Sequence, residues 1–504
     1  MGEGVRFRME VEKKTIINFF FYILPKFVGF AVNVITLPVL TRLLTPHDFG
    51  VVTMAAIFPT FAVGIFSWGL PAAAQRFFFE YRKDSDRLGR YLFSCMIFLY
   101  LSLGVSAFPI FLLRNSLSKA SVGSDGYGEV FFLYYVSMYF LTIFNLYLTT
   151  FQNFENAKAH SFFSILHAVL LGTLNVVLSL KFKSYTGLAC ASVVSSFVVS
   201  TLCTVYFFNQ FRKRVSFPML KESLLYGVQS IPKSFTGFIG KFFDKYMLNK
   251  SLALQAVGVY NIGQNIGNAS FSLMNAIWSS FQPLCYRQVF DQGEKASVTV
   301  GRLFSYFLFA ASFPLLAFLL FSPEIIRLLA PPAYWPAVDV IMIVICAMAT
   351  NIFGMFVGVQ FAYAQKPFYI FLISVGGTLT NVGMNALMIP RFGLMGASLA
   401  MLGSYVFINA FLTITGQFLY KIKFEWGFVF CVYVIFAVGT TSGIRMRVTD
   451  ASYAIQLTLK IILLSGMFFA GHYWNVATLA TARKVLRALK SNSARNINLE
   501  TVGP

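Results

Sequence analysis

Long apolar runs follow one another along almost the whole of this chain. Each is near the ~20 residues that a helix needs to cross the hydrocarbon of a bilayer, and only short polar stretches separate them. The sequence therefore predicts an all-α polytopic membrane protein with about fourteen transmembrane helices. The predicted spans are residues 15–40, 49–70, 91–113, 130–152, 161–180, 187–208, 223–244, 258–282, 303–322, 338–363, 369–390, 394–419, 426–443 and 453–474.

Composition excludes most soluble classes of protein. Of the 504 residues, 57% are hydrophobic and 12% are charged, whereas soluble domains average about 25% charged residues. A soluble enzyme, a disordered chain and a coiled coil are therefore excluded. The net charge of +21 is not assigned to nucleic-acid binding, because the basic residues lie mostly in short loops between apolar runs.

The distribution of basic residues predicts the orientation in the membrane. With the N-terminus in the cytoplasm, 25 of the 40 Lys and Arg residues fall on the inner side and 11 in outer loops. Basic residues are enriched in cytoplasmic loops, so we expect both termini in the cytoplasm of a multi-pass protein.

Cysteine and histidine spacing indicates neither a disulfide framework nor a metal site. The cysteines lie inside or at the edge of apolar runs, without C-x-x-C spacing, and the histidines are scattered. We expect no metal and no cofactor. These residues are Cys95, Cys190, Cys203, Cys285, Cys346, Cys431, His47, His160, His167 and His472.

An internal repeat relates the first six predicted spans to the next six. Leu24-Pro25-Lys26 recurs as Ile231-Pro232-Lys233, and Asn175-Val176 with Gly187-Leu188 recurs as Asn381-Val382 with Gly393-Leu394. Asp48-Phe49-Gly50 and Ala256-Val257-Gly258 fit the same frame. Because six is an even number, both copies enter the membrane from the same side. We therefore expect two parallel six-helix repeats around a central cavity, with alternating access.

This repeat sets the predicted division of the chain into domains. The parts are a cytoplasmic N-terminal tail (1–14), a first six-helix bundle (15–210), a second six-helix bundle (211–420), two additional transmembrane helices (421–475) and a basic cytoplasmic tail (476–504).

Two lysines at equivalent repeat positions are predicted to be cationic sites of the cavity. Lys26 and Lys233 each follow a proline and lie about twelve residues beyond the preceding lysine, or roughly 18 Å, near mid-membrane. A lysine facing lipid at that depth costs at least ~2.5 kcal/mol, so each is expected to face water, an acid or a polar ligand. Alternatively, carbonyl groups freed at the proline satisfy each ammonium.

A charged cluster follows Lys233 in the seventh predicted span. Lys241 is a third candidate for the cationic cavity, and Asp244 is a candidate for ion coupling by exchanging lysine partners. The alternative is a local ion pair at the membrane interface. Lys460, in the last span, is interpreted as a residue whose ammonium reaches up to the interface.

Carboxamides form one helical stripe in the eighth predicted span. Their steps of three, one, three, seven and seven residues place them on one face of a helix. Amides donate and accept hydrogen bonds without charge, which suits sugar hydroxyls in a wet cavity. They serve equally well as interhelical hydrogen bonds within the bundle. The stripe consists of Asn261, Gln264, Asn265, Asn268, Asn275 and Gln282, the first five being the candidate sugar-binding residues.

Motifs of catalysis are not evident. Asp84-Ser85-Asp86 matches the D-x-D of many glycosyltransferases, but it lies in a short charged loop with no domain around it. No phosphate-binding G-x-x-x-x-G-K-[ST] motif is present. The chain is therefore not expected to be an enzyme.

Several short motifs follow one another in a fixed order along the chain. They are Leu37-Pro38-Val39-Leu40-Thr41-Arg42 with Asp48-Phe49-Gly50, then Asp244-Lys245-Tyr246 with Ala256-Val257-Gly258, and then Gly393-Leu394-x-Gly396-Ala397-Ser398. This order resembles the Wzx-type polysaccharide flippases of the multidrug/oligosaccharidyl-lipid/polysaccharide exporter superfamily. The resemblance covers the chain to about residue 480. Lys26 stands alone as a base in the first span, unlike the arginine-rich first span of the lipid II flippase branch.

The resemblance implies a fourteen-helix flippase of the bacterial inner membrane. Such proteins move undecaprenyl-pyrophosphate-linked oligosaccharide units to the outer leaflet through a cationic cavity, for surface polysaccharides such as O-antigen. It implies membrane lipids, a polysaccharide polymerase and a chain-length regulator as partners.

Three alternatives stay open at this point. A MATE-like exporter of cationic drugs has the same fold, but the charge argument assigns one acid, Asp244, to the spans against four lysines. A membrane-embedded polymerase or glycosyltransferase usually carries a sizeable outer loop, and here loops 114–129 and 323–337 are short. A scaffold in an export complex is the third.

Overall fold

The computed structural model describes the backbone of residues 2–208, 214–229, 231–366, 368–449 and 452–476. Side chains are described in the same ranges from residue 20 onward, except at 232–234, 236, 237 and 448. The predicted N-terminal tail lies outside the described side chains, and residues 477–504 of the predicted basic tail lie outside the described chain.

Helices make up nearly all of the described structure. In the first part they are α1 (Gly2–Leu43), α2 (Pro46–Phe66), α3 (Leu70–Tyr81), α4 (Ser85–Val122), α5 (Gly128–Asn153), α6 (Ala157–Phe182), α7 (Tyr185–Phe207) and α8 (Phe217–Val228). In the second part they are α9 (Ile231–Leu252), α10 (Leu254–Gln292), α11 (Ser297–Leu320), α12 (Ser322–Leu329), α13 (Ala337–Tyr363), α14 (Phe368–Leu419), α15 (Trp426–Val448) and α16 (Tyr453–Tyr473).

The described residues hold eleven helical stretches that are long and apolar enough to cross a membrane. Two of these contain two helices each: the stretch Leu254–Leu320 joins α10 to α11, and α14 bends at Gly393, where φ of 58° and ψ of −127° are not helical. Helix α9 has 22 residues and is long enough to span, although it is charged. Counted in this way, the described chain holds fourteen helices of spanning length, and the predicted all-α polytopic fold is confirmed.

The helices group into two compact units among the described residues. The first comprises Met1–Val259 with Leu328–Ala333, and the second comprises Tyr260–Arg327 with Tyr334–Pro504. This grouping places α9 and the start of α10 with the first six spanning helices. The predicted division at 210/211, which follows the sequence repeat, stays a prediction.

One packing arrangement of the first unit recurs in the second at the equivalent positions of the predicted repeat. In the first unit α5 packs on α4 and α7, and α1 packs on α6. In the second unit α13 packs on α11 and α14, the helices at the equivalent repeat positions. Aromatic rings fill the core of the first unit, where Tyr91, Tyr135 and Tyr147 are all but fully buried.

Two glycines bring the starts of α2 and α10 into backbone contact, both within the first unit. A methyl group added to Gly50 would overlap the Leu254 carbonyl, and one added to Gly258 would overlap the Pro46 carbonyl. Gly50 and Gly258 are 208 residues apart in sequence, and so are Pro46 and Leu254. The two contacts, Gly50 with Leu254 and Gly258 with Pro46, are therefore equivalent in the two repeats. A self-complementary contact of this kind is what a twofold relation between repeats requires.

Polar side chains fix where the helices begin. Thr45 and Asp48 form a reciprocal capping box at the start of α2, with the Asp48 carboxylate 2.9 Å from the Thr45 backbone nitrogen. Asp84 caps α4 by accepting from the backbone N–H groups of Asp86 and Arg87. The hydrogen bond from the Arg87 backbone N–H lowers the pKa of Asp84 below its ordinary value, because it stabilises the ionised carboxylate. The Asp84-Ser85-Asp86 sequence is thus a helix start.

Candidate functional site

The candidate site of the first unit lies along the contact between α1 and α6. Lys26 of α1 is exposed, and its charge acts on the imidazole of His160 in the first turn of α6. The Tyr22 ring meets the same imidazole edge-on, with 5.1 Å between ring centroids. The Nε2 atom of Gln152, in α5, lies 2.9 Å from the Nε2 atom of His160. Neutral polar and aromatic groups thus lie beside this part of α1, and the charge of Glu155 also acts on Tyr22.

Among the described residues, no carboxylate pairs with Lys26. The ion pairs among the described residues do not include Lys26. A cation inside a spanning segment that has no acid partner is costly unless water or a ligand meets it. Lys26 is thus suited to an anion.

The depth predicted for Lys26 stays a prediction. Tyr22, four residues before Lys26, contacts His160, the fourth residue of α6. Helix α1 continues back to Gly2, so counting from Lys14 does not by itself locate the membrane boundary.

A polar stripe on α6 continues away from Lys26, and the sequence analysis missed it. Steps of four, three and eight residues keep these side chains on one face of the helix. Within the described structure, His160 Nδ1 and Asn175 Oδ1 are buried without a hydrogen-bond partner. Asn33, seven residues beyond Lys26 on α1, is exposed on the same face as Lys26. The stripe is His160, Ser164, His167 and Asn175.

Helix α9 carries the charged residues of the seventh predicted span. The Lys233 side chain lies outside the described residues. Lys241 is exposed, whereas Asp244 and Lys245 are both 5% exposed and form an ion pair with 3.4 Å between Nζ and Oδ2. Asp244 is thus held by the adjacent Lys245. Its role in ion coupling, and the role of Lys241 in the cationic cavity, stay predictions.

The carboxamide stripe of α10 leaves the opposite face of that helix to pack on α13. A methyl group on Gly263 would lie 2.8 Å from Cβ of Val340, and one on Gly267 would lie 2.9 Å from Cβ of Val344. The glycine face, which includes the buried Ile262 and Ile266, therefore makes the close contact. None of the amides is buried: Asn265 and Gln282 are exposed, and the others are half-buried, namely Asn261, Gln264, Asn268 and Asn275.

The amide nitrogen of Gln264 lies 3.7 Å from the Met401 sulfur. Since every amide of the stripe is exposed or half-buried, each has some accessible surface for a polar ligand, and sugar binding by these residues stays a prediction.

The interpretation of Lys460 as a residue reaching the interface is wrong. Lys460 is 5% exposed and pairs with Glu324 of α12, while its ammonium lies 5.0 Å from the centroid of the Phe321 ring. The acid lies 136 positions away in sequence, so hydropathy alone does not reveal the pair.

Ion pairs attach the two additional helices to the second unit. Besides Lys460 with Glu324, Arg447 of α15 pairs with Asp339 at the start of α13. Glu425, before α15, pairs with Arg302 of α11. Asp339 is an acid of a spanning helix that the charge argument left out, and its partner is a base.

No group of three His, Cys, Asp or Glu side chains arranged to hold a metal ion occurs among the residues described. The six cysteines are all free.

Solved structures share this fold. An inward-facing multidrug resistance MATE family transporter of the MOP superfamily matches with a TM-score of 0.58 and 16% identity, covering 79% of this chain and 97% of its own. Lipid II flippase MurJ in an inward closed conformation matches with a TM-score of 0.66 and 10% identity, covering 90% and 99%. A MOP superfamily transporter from Pyrococcus furiosus matches at 0.51 and 15%, covering 81% and 94%. The chain thus has the helical architecture of this transporter superfamily.

The sequence itself identifies the family. A family model described as "Polysaccharide biosynthesis protein" matches residues 16–289, more than half of the chain. The chain therefore belongs to this family of polysaccharide biosynthesis proteins, and the resemblance drawn from its motifs is confirmed. A search of curated proteins found no match.

Proposed function

We propose that this protein is a flippase that moves undecaprenyl-pyrophosphate-linked oligosaccharide units across the bacterial inner membrane by alternating access. The observation that carries the proposal is Lys26, an exposed cation in a spanning segment with which no carboxylate among the described residues forms an ion pair. Membership of a polysaccharide biosynthesis family and the fold shared with a lipid II flippase support it.

The chemistry of the proposed substrate matches the polar groups of each unit. A pyrophosphate carries at least about two negative charges and binds ammonium groups strongly, so Lys26, Lys233 and Lys241 are its proposed partners. Sugar hydroxyls need donors and acceptors without charge. The α10 amides Asn261, Gln264, Asn265, Asn268 and Asn275 supply both.

Orientation follows from the distribution of charge. Both termini are proposed to lie in the cytoplasm, and the substrate is proposed to travel from there to the outer leaflet for a surface polysaccharide such as O-antigen. A polysaccharide polymerase and a chain-length regulator are the proposed protein partners. The proposed role requires no cofactor and no catalysis by this chain.

A MATE-like exporter of cations is the second candidate, because the MATE transporter shares the fold. A site for organic cations needs acids free to meet the ligand. Asp244 and Asp339, the acids of α9 and α13, are both paired with basic residues, whereas Lys26 and Lys241 are exposed. This balance favours an anionic substrate.

Reconstituted protein tests the proposed binding groups. We would measure translocation of a fluorescent lipid-pyrophosphate oligosaccharide by wild type, Lys26→Ala, Lys233→Ala and the double variant, with Lys250→Ala as the matched control. Lys250 is an exposed lysine in the last turn of α9. We expect transport to collapse in the first three and to persist in the control. Full transport by the double variant would keep the flippase but make the lysines structural, whereas no transport by wild type would refute the proposal.

A further inference from the structure

Helix α8 has 12 residues, too few to span a membrane, and one of its faces is held against the first unit, where Leu220 is part of the hydrophobic core. The Ser216 backbone N–H donates to Ser94 Oγ at 2.9 Å, and Ser223 Oγ donates to Tyr91 Oη at 3.0 Å. Gly227 packs on the backbone of Trp68 and Gly69 so closely that a methyl group there would lie 2.8 Å from the Gly69 carbonyl carbon. The position of α8 is therefore fixed by contacts on one face.

The opposite face of α8 is apolar and exposed. Phe217 is 76% exposed and Leu225 is 65% exposed, and Val228 continues the same face at a helical spacing. Lys221, four residues beyond Phe217 and four before Leu225, is also exposed on this face. A helix that presents exposed apolar side chains together with a lysine is suited to lie in a membrane surface.

This face and the end of α2 enclose an apolar groove of about 230 Å³. Trp68 follows the last residue of α2 and forms one wall, and Lys221 is the charged residue in the lining. The other lining residues are Phe217, Leu220, Leu224, Leu225 and Val228. A single ammonium beside an otherwise hydrocarbon groove is complementary to an anionic amphiphile.

The groove lies where spanning helices end. Trp68 lies two residues beyond the end of α2, and Asp84, which caps the spanning helix α4, follows α3. Tryptophan is enriched at this level of a bilayer. The Arg76 guanidinium lies 4.5 Å from the centroid of the Tyr226 ring of α8, so a second cation lies beside the same helix.

We propose that this groove binds a phospholipid with an anionic headgroup, one acyl chain lying between Trp68 and α8 and the phosphate meeting Lys221. The bilayer supplies this occupant at the depth where the groove lies. The site is separate from the candidate transport residues, so the proposal does not rest on the proposed function.

Fluorescence of Trp68 tests the proposal directly. The full-length protein is placed in nanodiscs that contain phosphatidylglycerol or phosphatidylcholine, each brominated on its acyl chains, and quenching is measured for wild type and Trp68→Phe. The difference between the two proteins is the signal of Trp68. One lysine near an anionic lipid contributes about 1 kcal/mol, equivalent to roughly fivefold in affinity. In mixed nanodiscs we therefore expect brominated phosphatidylglycerol to quench Trp68 at about a fifth of the mole fraction that phosphatidylcholine requires.

Variants separate the headgroup from the acyl chain. Lys221→Gln is expected to abolish the preference for phosphatidylglycerol while leaving quenching by both lipids, and Leu225→Ser is expected to weaken quenching by both. Lys250→Gln is the control for loss of a lysine at another site. Equal quenching by the two lipids in wild type, or a preference that survives Lys221→Gln, would overturn the proposal. A Trp68 signal shielded from both lipids would indicate a protein in the groove and would overturn it as well.

Discussion

The Gly50–Gly258 contact predicts a large effect from one methyl group. In Gly258→Ala, the new Cβ lies 2.8 Å from the Pro46 carbonyl carbon and closer still to its oxygen, and both are backbone atoms. Backbone cannot move aside as a flexible side chain does, so α2 and α10 must separate by roughly 1 Å. Overpacking of this kind costs about 1–3 kcal/mol. This free energy corresponds to a change of about 5- to 150-fold in the equilibrium between the close contact of α2 with α10 and a separated arrangement of the two helices.

Spin labels report the separation. We would label Arg42→Cys and Lys250→Cys, exposed residues near the ends of α1 and α9, in a background without the six native cysteines. Pulsed EPR on the wild-type background and on Gly258→Ala would give the distance distributions. We expect the variant to populate a longer distance and Gly50→Ala to do the same, because Gly50 meets Leu254 in the equivalent way.

Gly240→Ala on α9 is the matched control, because a methyl group there meets nothing within 4 Å. Alanine is the better helix former, by about 1 kcal/mol, so this control should keep the wild-type distribution and melt at the same temperature or higher. If Gly258→Ala behaved like Gly240→Ala in both distance and melting temperature, the inference of a close helix crossing would be refuted.

Three further changes follow from the described contacts. Gly393→Ala places a side chain at φ of 58° and ψ of −127°, a conformation that glycine adopts without strain and other residues rarely adopt. Thermal unfolding should therefore show a loss of about 1–3 kcal/mol of stability. In the control Gly383→Ala the added methyl group meets nothing within 4 Å, so no loss of stability is expected. Lys460→Met leaves Glu324 partly buried without its base and should destabilise the protein by up to about 3 kcal/mol; adding Glu324→Gln should restore most of the melting temperature, and no restoration would argue against the pair. His160→Phe keeps a ring against Tyr22 but removes the hydrogen bond to Gln152, so transport should fall while stability changes by no more than about 1 kcal/mol; unaltered transport would exclude His160 from the site.

Hydropathy was sufficient to predict the helices because the bilayer leaves the backbone few choices. A spanning segment must satisfy its own hydrogen bonds, so each apolar run of sufficient length becomes a helix, including the charged α9. The repeat in sequence likewise anticipated the paired contact of Gly50 and Gly258. The short helix α3 escaped prediction because a loop of mixed charge gives no spanning signal. The seventh predicted span, 223–244, is wrong at its start, because its first residues belong to α8 and the spanning helix α9 begins at Ile231.

Polar partners were harder to predict than spans. The Lys460–Glu324 pair joins residues far apart in the chain, and nothing local to either residue indicates the other. His160, Ser164, His167 and Asn175 recur at helical spacing, but bulky apolar residues lie between them and mask the stripe in a hydropathy profile. A search of each span for polar residues sharing one face would have found them.

A direct comparison of substrates tests the central claim. Purified protein in liposomes would be offered a lipid-pyrophosphate oligosaccharide and, separately, a fluorescent organic cation, under the same imposed proton and sodium gradients. The account predicts movement of the lipid-linked oligosaccharide between leaflets, lost in Lys26→Ala, and no uptake of the cation. Uptake of the cation without movement of the lipid-linked oligosaccharide would contradict it.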